Sequence, residues 1–215
     1  MSTLLFYDDS HRYTIDGEEV PSVSELTRFI ARELYETTPQ FAMDGAAARG
    51  TKVHKATEAL DKFGTVEVES DITPYLQAYV QFRKDIAPEW EKIEWPVCYE
   101  KEFAGTVDRY GKINGVPVIM DIKTTQSITG LHKVLYTAQL NLYRLAVMKE
   151  KKVDQLWVVQ LRKDGTYKLI QLEENEALAQ ACLTMHTTIK NSKRRRKKHD
   201  KTEQEERKDY DAGRS

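Results

Sequence analysis

Cysteine and long apolar runs are both scarce in this sequence. Only two cysteines, Cys98 and Cys182, occur among 215 residues, too few for a disulfide framework or for a four-cysteine zinc or iron–sulfur site within one chain. The N-terminal residues MSTLLFYDDSHRY hold no apolar stretch long enough for a signal peptide, and no segment approaches the length of a membrane span. We therefore expect a cytoplasmic protein in a reducing compartment, without an iron–sulfur cluster and without a membrane partner.

A nucleotide-phosphate loop and an excess of one charge sign are lacking as well. No G-x-x-x-x-G-K-[ST] motif occurs, so ATP is not an expected cofactor. The 33 basic and 34 acidic residues leave a net charge of −1. Their distribution is uneven, because ten basic and six acidic side chains fall between Asn191 and Ser215. An acidic body with a basic C-terminal segment is not the charge pattern of a protein that coats nucleic acid with its whole surface.

What the sequence does have is enough apolar material for a core, with 40% hydrophobic residues. Turn residues at Asp16-Gly17 predict a short N-terminal strand pair, and Ser22 or Ser24 can cap a helix running to about Thr38. Further helices are predicted at about 44–63, from 73 towards 90, at 131–149 and at 174–190, and strands from Trp95 to about Thr125 and on either side of Asp164-Gly165.

This order of elements predicts an α/β fold, with a central mixed β-sheet flanked by helices and preceded by a β-hairpin and a helical segment. We expect one domain over residues 1–190, in which 22–94 form the helical N-terminal part and about 95–190 the core. Residues 191–215 have no apolar periodicity, which favours a disordered tail or a frayed extension of the last helix.

The stretch GTVDRYGKINGVPVIMDIKTT, residues 105–125, is the most informative one. Asn114-Gly115 between two strand-like runs is typical of a two-residue type I′ hairpin turn. With that turn, paired positions place Asp108 directly across from Asp121, and Lys123 projects from the same face. Pro117 cannot donate to the strand ladder, so a bulge that shifts this register is the alternative.

Two facing carboxylates repel each other unless something compensates their charge. A divalent cation is the obvious compensation, because Mg²⁺ and Mn²⁺ prefer carboxylate oxygens. A lysine beside that cation can orient a water molecule or steady a developing negative charge, which together indicate phosphodiester hydrolysis. The competing interpretation is a surface hairpin in which Asp121 and Lys123 form an ordinary ion pair. The apolar run before Asp121 favours a central strand instead.

These residues resemble the PD-(D/E)XK nuclease superfamily, and in particular its RecB-like, phage-type exonuclease branch. The resemblance is carried by Gly105-Thr-Val-Asp108, Asp121-Ile-Lys123-Thr124, Gln139-Leu-Asn-Leu-Tyr143 and the upstream element Arg49-Gly50-Thr51-Lys52-Val53-His54. The N-terminal run from His11-x-Tyr13 to Pro21-Ser-Val-Ser24 is a weaker match. Val107 departs from the superfamily's proline before the first aspartate. The resemblance implies a restriction-endonuclease-like core.

The resemblance also implies roles for individual residues. His54, Asp108 and Asp121 would bind the metal, Mg²⁺ or Mn²⁺, with the backbone carbonyl of Ile122 as a fourth ligand, and Lys123 would position the attacking water. Glu100, preferred over Glu102, resembles the acidic residue that precedes the Gly-x-x-Asp element and is the remaining catalytic candidate. Gln139 and Tyr143 would support the lysine or touch DNA phosphates.

The basic run is open to two interpretations. It is either a solvated charge cluster or a salt-sensitive contact to the DNA backbone. The candidates for such a DNA contact are Lys193, Arg194, Arg195 and Arg196.

The sequence therefore predicts a Mg²⁺- or Mn²⁺-dependent deoxyribonuclease, an exonuclease acting on DNA ends in phage recombination or replication, in the cytoplasm of a bacterial host. A recombinase, a single-strand-binding protein or a helicase would be its protein partner. The alternatives are a non-catalytic nucleic-acid-binding accessory protein and a structure-specific endonuclease on the same fold. A requirement for free DNA ends distinguishes the exonuclease from the endonuclease.

Overall fold

The N-terminus forms a small antiparallel sheet. A computed structural model describes residues 3–7, 12–67 and 69–212, so His11 of the N-terminal motif lies outside the described residues. The strands are β1 (Leu4–Tyr7), β2 (Arg12–Ile15) and β3 (Glu18–Val20). They pair in the order β1-β2-β3. The predicted turn lies between β2 and β3, where Asp16 and Gly17 have φ angles of 52° and 82°. The sheet has three strands rather than the predicted two.

Four helices follow this sheet: α1 (Val23–Leu26), α2 (Arg28–Leu34), α3 (Gln40–Phe63) and α4 (Thr73–Ile86). Ser22 caps α1, because its hydroxyl accepts from the Glu25 backbone N–H while the Glu25 carboxylate accepts from the Ser22 N–H. The single helix predicted up to about Thr38 is interrupted at Thr27 and ends at Leu34.

The central sheet has five strands in the order β4-β5-β6-β7-β8. Their bounds are β4 (Glu89–Tyr99), β5 (Phe103–Ile113), β6 (Val116–Thr124), β7 (Gln155–Leu161) and β8 (Tyr167–Leu172). Only β6 and β7 pair in parallel, and helix α5 (Gly130–Val147) makes the crossover that a parallel pair requires. The predicted α/β class, a mixed sheet flanked by helices, is therefore confirmed.

The β5–β6 hairpin has the predicted register. Asn114 and Gly115 adopt the left-handed φ angles of 50° and 79° that a type I′ turn needs. Pairing runs from Ile113↔Val116 to Arg109↔Met120 without a shift. Pro117, opposite Lys112, introduces no bulge, so the hairpin delivers its far end in the register set by the turn.

Helices cover both faces of this sheet. On one face α5 packs against Val107, Ile119 and Val158, and on the other face α3 and α4 pack against Met120 and Ile122. Strand β6 is therefore central, with Ile119, Met120 and Ile122 fully buried. A carboxylate on β6 is consequently in a low-dielectric setting, as its apolar neighbours in the sequence suggested.

The last helix is longer than expected. Helix α6 (Glu176–Ala212) continues through the basic segment, so of the two alternatives for that segment the structure has the helical extension. The division into a domain over 1–190 and a tail over 191–215 stays a prediction. In the described part of the chain, no helix is both long and apolar enough to cross a membrane.

Candidate active site

Three acidic residues stand at one level on three neighbouring strands. The β4–β5 pairing on either side sets Glu94 opposite Asp108. The β5–β6 pairing ends at Arg109↔Met120, one position before Asp108 would meet Asp121. The strand register therefore gathers three carboxylates, two of which the hairpin turn predicted from the sequence.

The backbone pairing of β5 and β6 ends next to Asp108, and there the Asp108 side chain bonds to the backbone of β6. Its side chain is largely buried, and Oδ2 accepts from the Ile122 backbone N–H at 2.7 Å. This bond fixes the carboxylate against β6. It also leaves the Ile122 carbonyl oxygen directed to the neighbouring helix α3, where it lies 3.0 Å from the His54 Nε2.

His54 projects from α3 into the carboxylates. Its Nδ1 lies 3.6 Å from the Asp108 Oδ2 and 3.7 Å from the Glu94 Oε1. Burial lowers the pKa of His54, but the carboxylates of Asp108 and Glu94 outweigh burial and raise it to about 9. The two carboxylates thus favour the protonated imidazole over the neutral ring.

Asp121 and Lys123 form a tight pair beside this group. The Lys123 Nζ lies 2.9 Å from the Asp121 Oδ1 and 2.8 Å from its Oδ2. Burial raises the pKa of Asp121, because a carboxylate is less stable away from water. Burial lowers the pKa of Lys123, but the carboxylates of Asp121 and Asp108 outweigh burial and raise the pKa above its ordinary value, which favours the ammonium form.

Gln139 and Tyr143 lie beside these residues on α5, the place that the family resemblance implied for them. Together with the acidic residues they line a cavity of about 140 Å³. The Gln139 Oε1 is buried with no hydrogen-bond partner among the described residues. Burial raises the pKa of Tyr143 well above its ordinary value, and the nearby carboxylates of Asp108 and Asp121 add to that effect. The tyrosine therefore stays a neutral hydroxyl facing the cavity.

The donor set fits a divalent metal ion. One ligand atom each from His54, Glu94 and Asp108 lies within 4.8 Å of the others. The Asp121 Oδ2 is buried and has no well-oriented hydrogen bond among the described residues, and the Ile122 carbonyl adjoins the same group. Carboxylate and carbonyl oxygens with one imidazole are a ligand set compatible with a hard or borderline divalent cation. The cluster can therefore hold such an ion.

Glu94, not Glu100, is the acidic residue of β4 at this site. Tyr99 pairs with Phe103, so Glu100 lies in the turn between β4 and β5, with φ 52°. There its carboxylate accepts from the Lys149 Nζ at 2.7 Å and remains exposed. This turn has no marker among its residues, because it contains neither glycine nor asparagine. Without the turn, the β4 register could not be predicted.

A buried arginine, which no sequence motif marks, donates a hydrogen bond to Glu94. The fully buried Arg109 donates from Nη1 to the Glu94 Oε1 at 3.1 Å and from Nε to the Asp61 Oδ2 at 2.6 Å. Its Nη2 donates to the Thr57 hydroxyl at 3.1 Å, and the Tyr79 hydroxyl donates to Asp61 at 2.6 Å. This network holds the Glu94 carboxylate in one orientation.

The described side chains among the basic DNA-binding candidates on α6 do not line the cavity. Lys193, Arg195 and Arg196 are exposed, while the side chain of Arg194 lies outside the described part of the chain. None of the described residues that line the cavity belongs to α6. A contact of this segment with DNA stays a prediction.

No family model matches the sequence, and no curated protein matches it either. The chain is similar to solved structures. One is an alkaline exonuclease from Laribacter hongkongensis (13% identity, TM-score 0.40, 71% of this chain and 92% of that one). Another is a phage-related exonuclease from Haemophilus somnus (13% identity, TM-score 0.38, 80% of this chain and 96% of that one). A third is the protein SSO0001 (18% identity, TM-score 0.41, 79% of this chain and 76% of that one). At this degree of likeness, the functional conclusion has to come from the site itself.

Proposed function

We propose that the protein is a divalent-metal-dependent deoxyribonuclease that hydrolyses phosphodiester bonds. The observation that carries the proposal is the set of His54, Glu94 and Asp108 around one point, with the Asp121–Lys123 pair beside it. A carboxylate cluster alone has structural explanations. A carboxylate cluster with an adjacent, partly buried ammonium in a cavity matches the needs of phosphoryl chemistry, where charge develops on phosphate oxygens.

Each residue has a role that follows from its position. Glu94, Asp108 and Asp121, with His54 and the Ile122 carbonyl, would hold Mg²⁺ or Mn²⁺. Such an ion supplies Lewis-acid polarisation of the scissile phosphate and lowers the pKa of a bound water.

Lys123 stands where its ammonium can orient that water and stabilise the negative charge on the phosphoryl oxygens. Gln139 offers a buried amide oxygen that lacks a partner among the described residues, which suits an ordered water or a hydroxyl of the substrate.

We propose further that the enzyme is an exonuclease that works in phage recombination or replication. The recessed position of the site supports the exonuclease part of this proposal, since Asp108 and Asp121 are only 9% and 6% exposed. A strand that enters from an end reaches buried carboxylates more easily than the backbone of an intact duplex.

End-labelled linear DNA and circular DNA, each single- and double-stranded, test the proposal in the presence of Mg²⁺, Mn²⁺ or a chelator. We expect metal-dependent loss of linear DNA only, and we expect Asp121→Asn to abolish it. The control variant is Lys84→Gln, an exposed change on α4 outside the cavity. Cutting of circles would establish an endonuclease. DNA binding without cutting under every metal would establish the accessory protein.

A further inference from the structure

A large groove adjoins the site cavity. His54, Glu94 and Lys123 line both spaces, so a ligand in the groove lies beside the site. The groove holds about 1210 Å³ between α3, the end of α2 and the segment after β6. This exceeds the roughly 300–1000 Å³ of pockets that enclose one small ligand. The groove therefore suits an extended ligand, one end of which reaches the carboxylate cluster.

The charges along the groove favour a polyanion. Arg49, Lys55 and Lys163 line it in addition to Lys123 at the site. Of the acidic lining residues, Glu94 belongs to the site cluster. The other, Glu58, already pairs with Lys62, at 2.6 Å. The groove beyond the site thus presents an excess of positive charge, which is the electrostatic footprint of phosphate binding.

Arg49 is placed to bind a phosphate next to the reacting one. It precedes His54 by five residues on α3, which corresponds to roughly 7.5 Å along the helix axis. Its guanidinium lies 5.6 Å from the Tyr75 ring centroid, and Nη2 donates to the Thr124 carbonyl oxygen at 3.5 Å. Its Nε is buried without a hydrogen-bond partner among the described residues. Arg49 lines the groove, and its one carbonyl contact leaves most of the five N–H donors of the guanidinium for an anion.

Aromatic rings accompany these cations. Tyr35, which is partly buried, lines the groove beside the end of α2. Phe6 lines it on the side of the N-terminal sheet, where its ring also stacks on Tyr13 with the centroids 4.7 Å apart. Cations that follow a backbone, with aromatic rings on which bases stack, are the combination that binds single-stranded nucleic acid irrespective of sequence. In a duplex the bases stack on each other, so their faces are not available to these aromatic rings.

We propose that this groove binds a single strand of DNA, with Arg49 holding a phosphate adjacent to the one at the carboxylate cluster. The inference rests on the proposed nuclease function and specifies its substrate. The enzyme accordingly takes one strand of an end into the groove, and a duplex binds only after its end has opened.

Fluorescence anisotropy tests whether the groove binds a single strand. Binding of a labelled oligothymidylate is compared with binding of a labelled duplex of the same length, and a chelator is present in both cases so that no DNA is cut. We expect wild type to prefer the single strand. We expect Arg49→Gln to weaken that binding about tenfold, since one charge-assisted contact is lost. The slope of log affinity against log salt should fall by about 0.7, the value for one phosphate contact on a single strand.

The matched control is Arg28→Gln, because Arg28 is exposed on α2, pairs with Glu25 and does not line the groove. Lys55→Gln, an exposed groove residue, is the second variant and replaces Arg49→Gln if that protein fails to fold. Unchanged single-strand binding by folded Arg49→Gln or Lys55→Gln would overturn the proposal. Equal or tighter binding of the duplex by wild type would overturn it as well.

A cleavage assay on the same wild-type protein separates the two conclusions. If wild type cuts DNA with Mn²⁺ while the groove variants bind normally, the inference about the groove is wrong and the nuclease proposal stands. If wild type neither cuts nor binds DNA, the nuclease proposal fails first.

Discussion

Glu94 illustrates how a single side chain can matter more than its sequence context suggests. It has a left-handed backbone, φ 47°, at the point where β4 passes Asp108. A non-glycine residue in this conformation is held there by its surroundings, here by the Arg109 hydrogen bond. The fixed carboxylate, opposite Asp108, supports a functional position.

Replacement of Glu94 tests that position. Glu94→Gln keeps the size of the side chain but removes one of the charges that attract a cation. We expect Mn²⁺-dependent cleavage to require about tenfold or more additional metal, by analogy with the 10–100-fold effects of residues around metal sites. Metal titrations of cleavage and of thermal stability measure the change.

Glu100→Gln is the matched control, because Glu100 is an exposed turn residue paired with Lys149. We expect its metal requirement to equal that of wild type. If instead Glu100→Gln raises the metal requirement and Glu94→Gln does not, the assignment of Glu94 is wrong.

At the scale of elements, helix α5 and strand β5 approach each other so closely that only glycine fits at one position. A Cβ added to Gly105 would lie 2.7 Å from the Tyr143 Cε1 and 3.1 Å from the Val23 Cγ2. The glycine of the Gly105-to-Asp108 element therefore has a packing reason. It lets Tyr143 reach the cavity beside Asp108.

We predict that Gly105→Ala displaces Tyr143 and destabilises the protein by about 1–3 kcal/mol, the usual range for overpacking a well-packed site. Urea unfolding measures the loss. Gly45→Ala is the control, since a Cβ there meets nothing within 4 Å and the residue lies inside α3. Alanine in a helix interior should raise stability by about 0.5–1 kcal/mol. A Gly105→Ala protein as stable as wild type would contradict the close packing.

At the scale of the whole molecule, the core of the α5 face extends to α6 through Cys182. This cysteine is fully buried among Leu142, Val147 and other core residues. Burial raises the pKa of its thiol from 9.0 to about 11. The folded state thus keeps a neutral thiol over a pH range in which the unfolded chain has already lost its proton.

When folding raises the pKa of a group, the stabilisation from its protonated form is fully present below the pKa of the unfolded chain. That stabilisation is lost as the pH rises to the pKa of the folded state. We therefore predict that Cys182 makes stability fall between about pH 9 and pH 11, by at most roughly 2–3 kcal/mol. Buried tyrosines contribute in the same direction in all variants. The difference in unfolding free energy between wild type and Cys182→Ala, measured from pH 9 to pH 11, gives the contribution of the Cys182 thiol to this fall.

We expect Cys182→Ala to be less stable than wild type at pH 8 because of its cavity, and the gap to narrow as pH rises to 11. Cys98→Ala serves as the comparison, since Cys98 is only partly buried. A gap for Cys182→Ala that stays constant with pH would show that the thiol does not titrate in this window.

The sequence by itself determined those features that depend on near neighbours in the chain. The Asn114-Gly115 turn has the same φ preferences in any context, so it fixed the register that brings Asp108 level with Asp121. Apolar periodicity located α5 in the same way, because the 3.6-residue period acts along one helix.

Only the tertiary structure decided which residues meet across long sequence separations. Glu94 joins the site through the β4 register, which depends on a turn without glycine or asparagine. Arg109 donates to Glu94 and is itself held by Asp61, which lies 48 residues away in the sequence. Arg49 acquires its place in the groove from contacts with the end of β6. Such contacts depend on how helices and strands pack against one another, and no local pattern of turn residues or hydrophobicity encodes that packing.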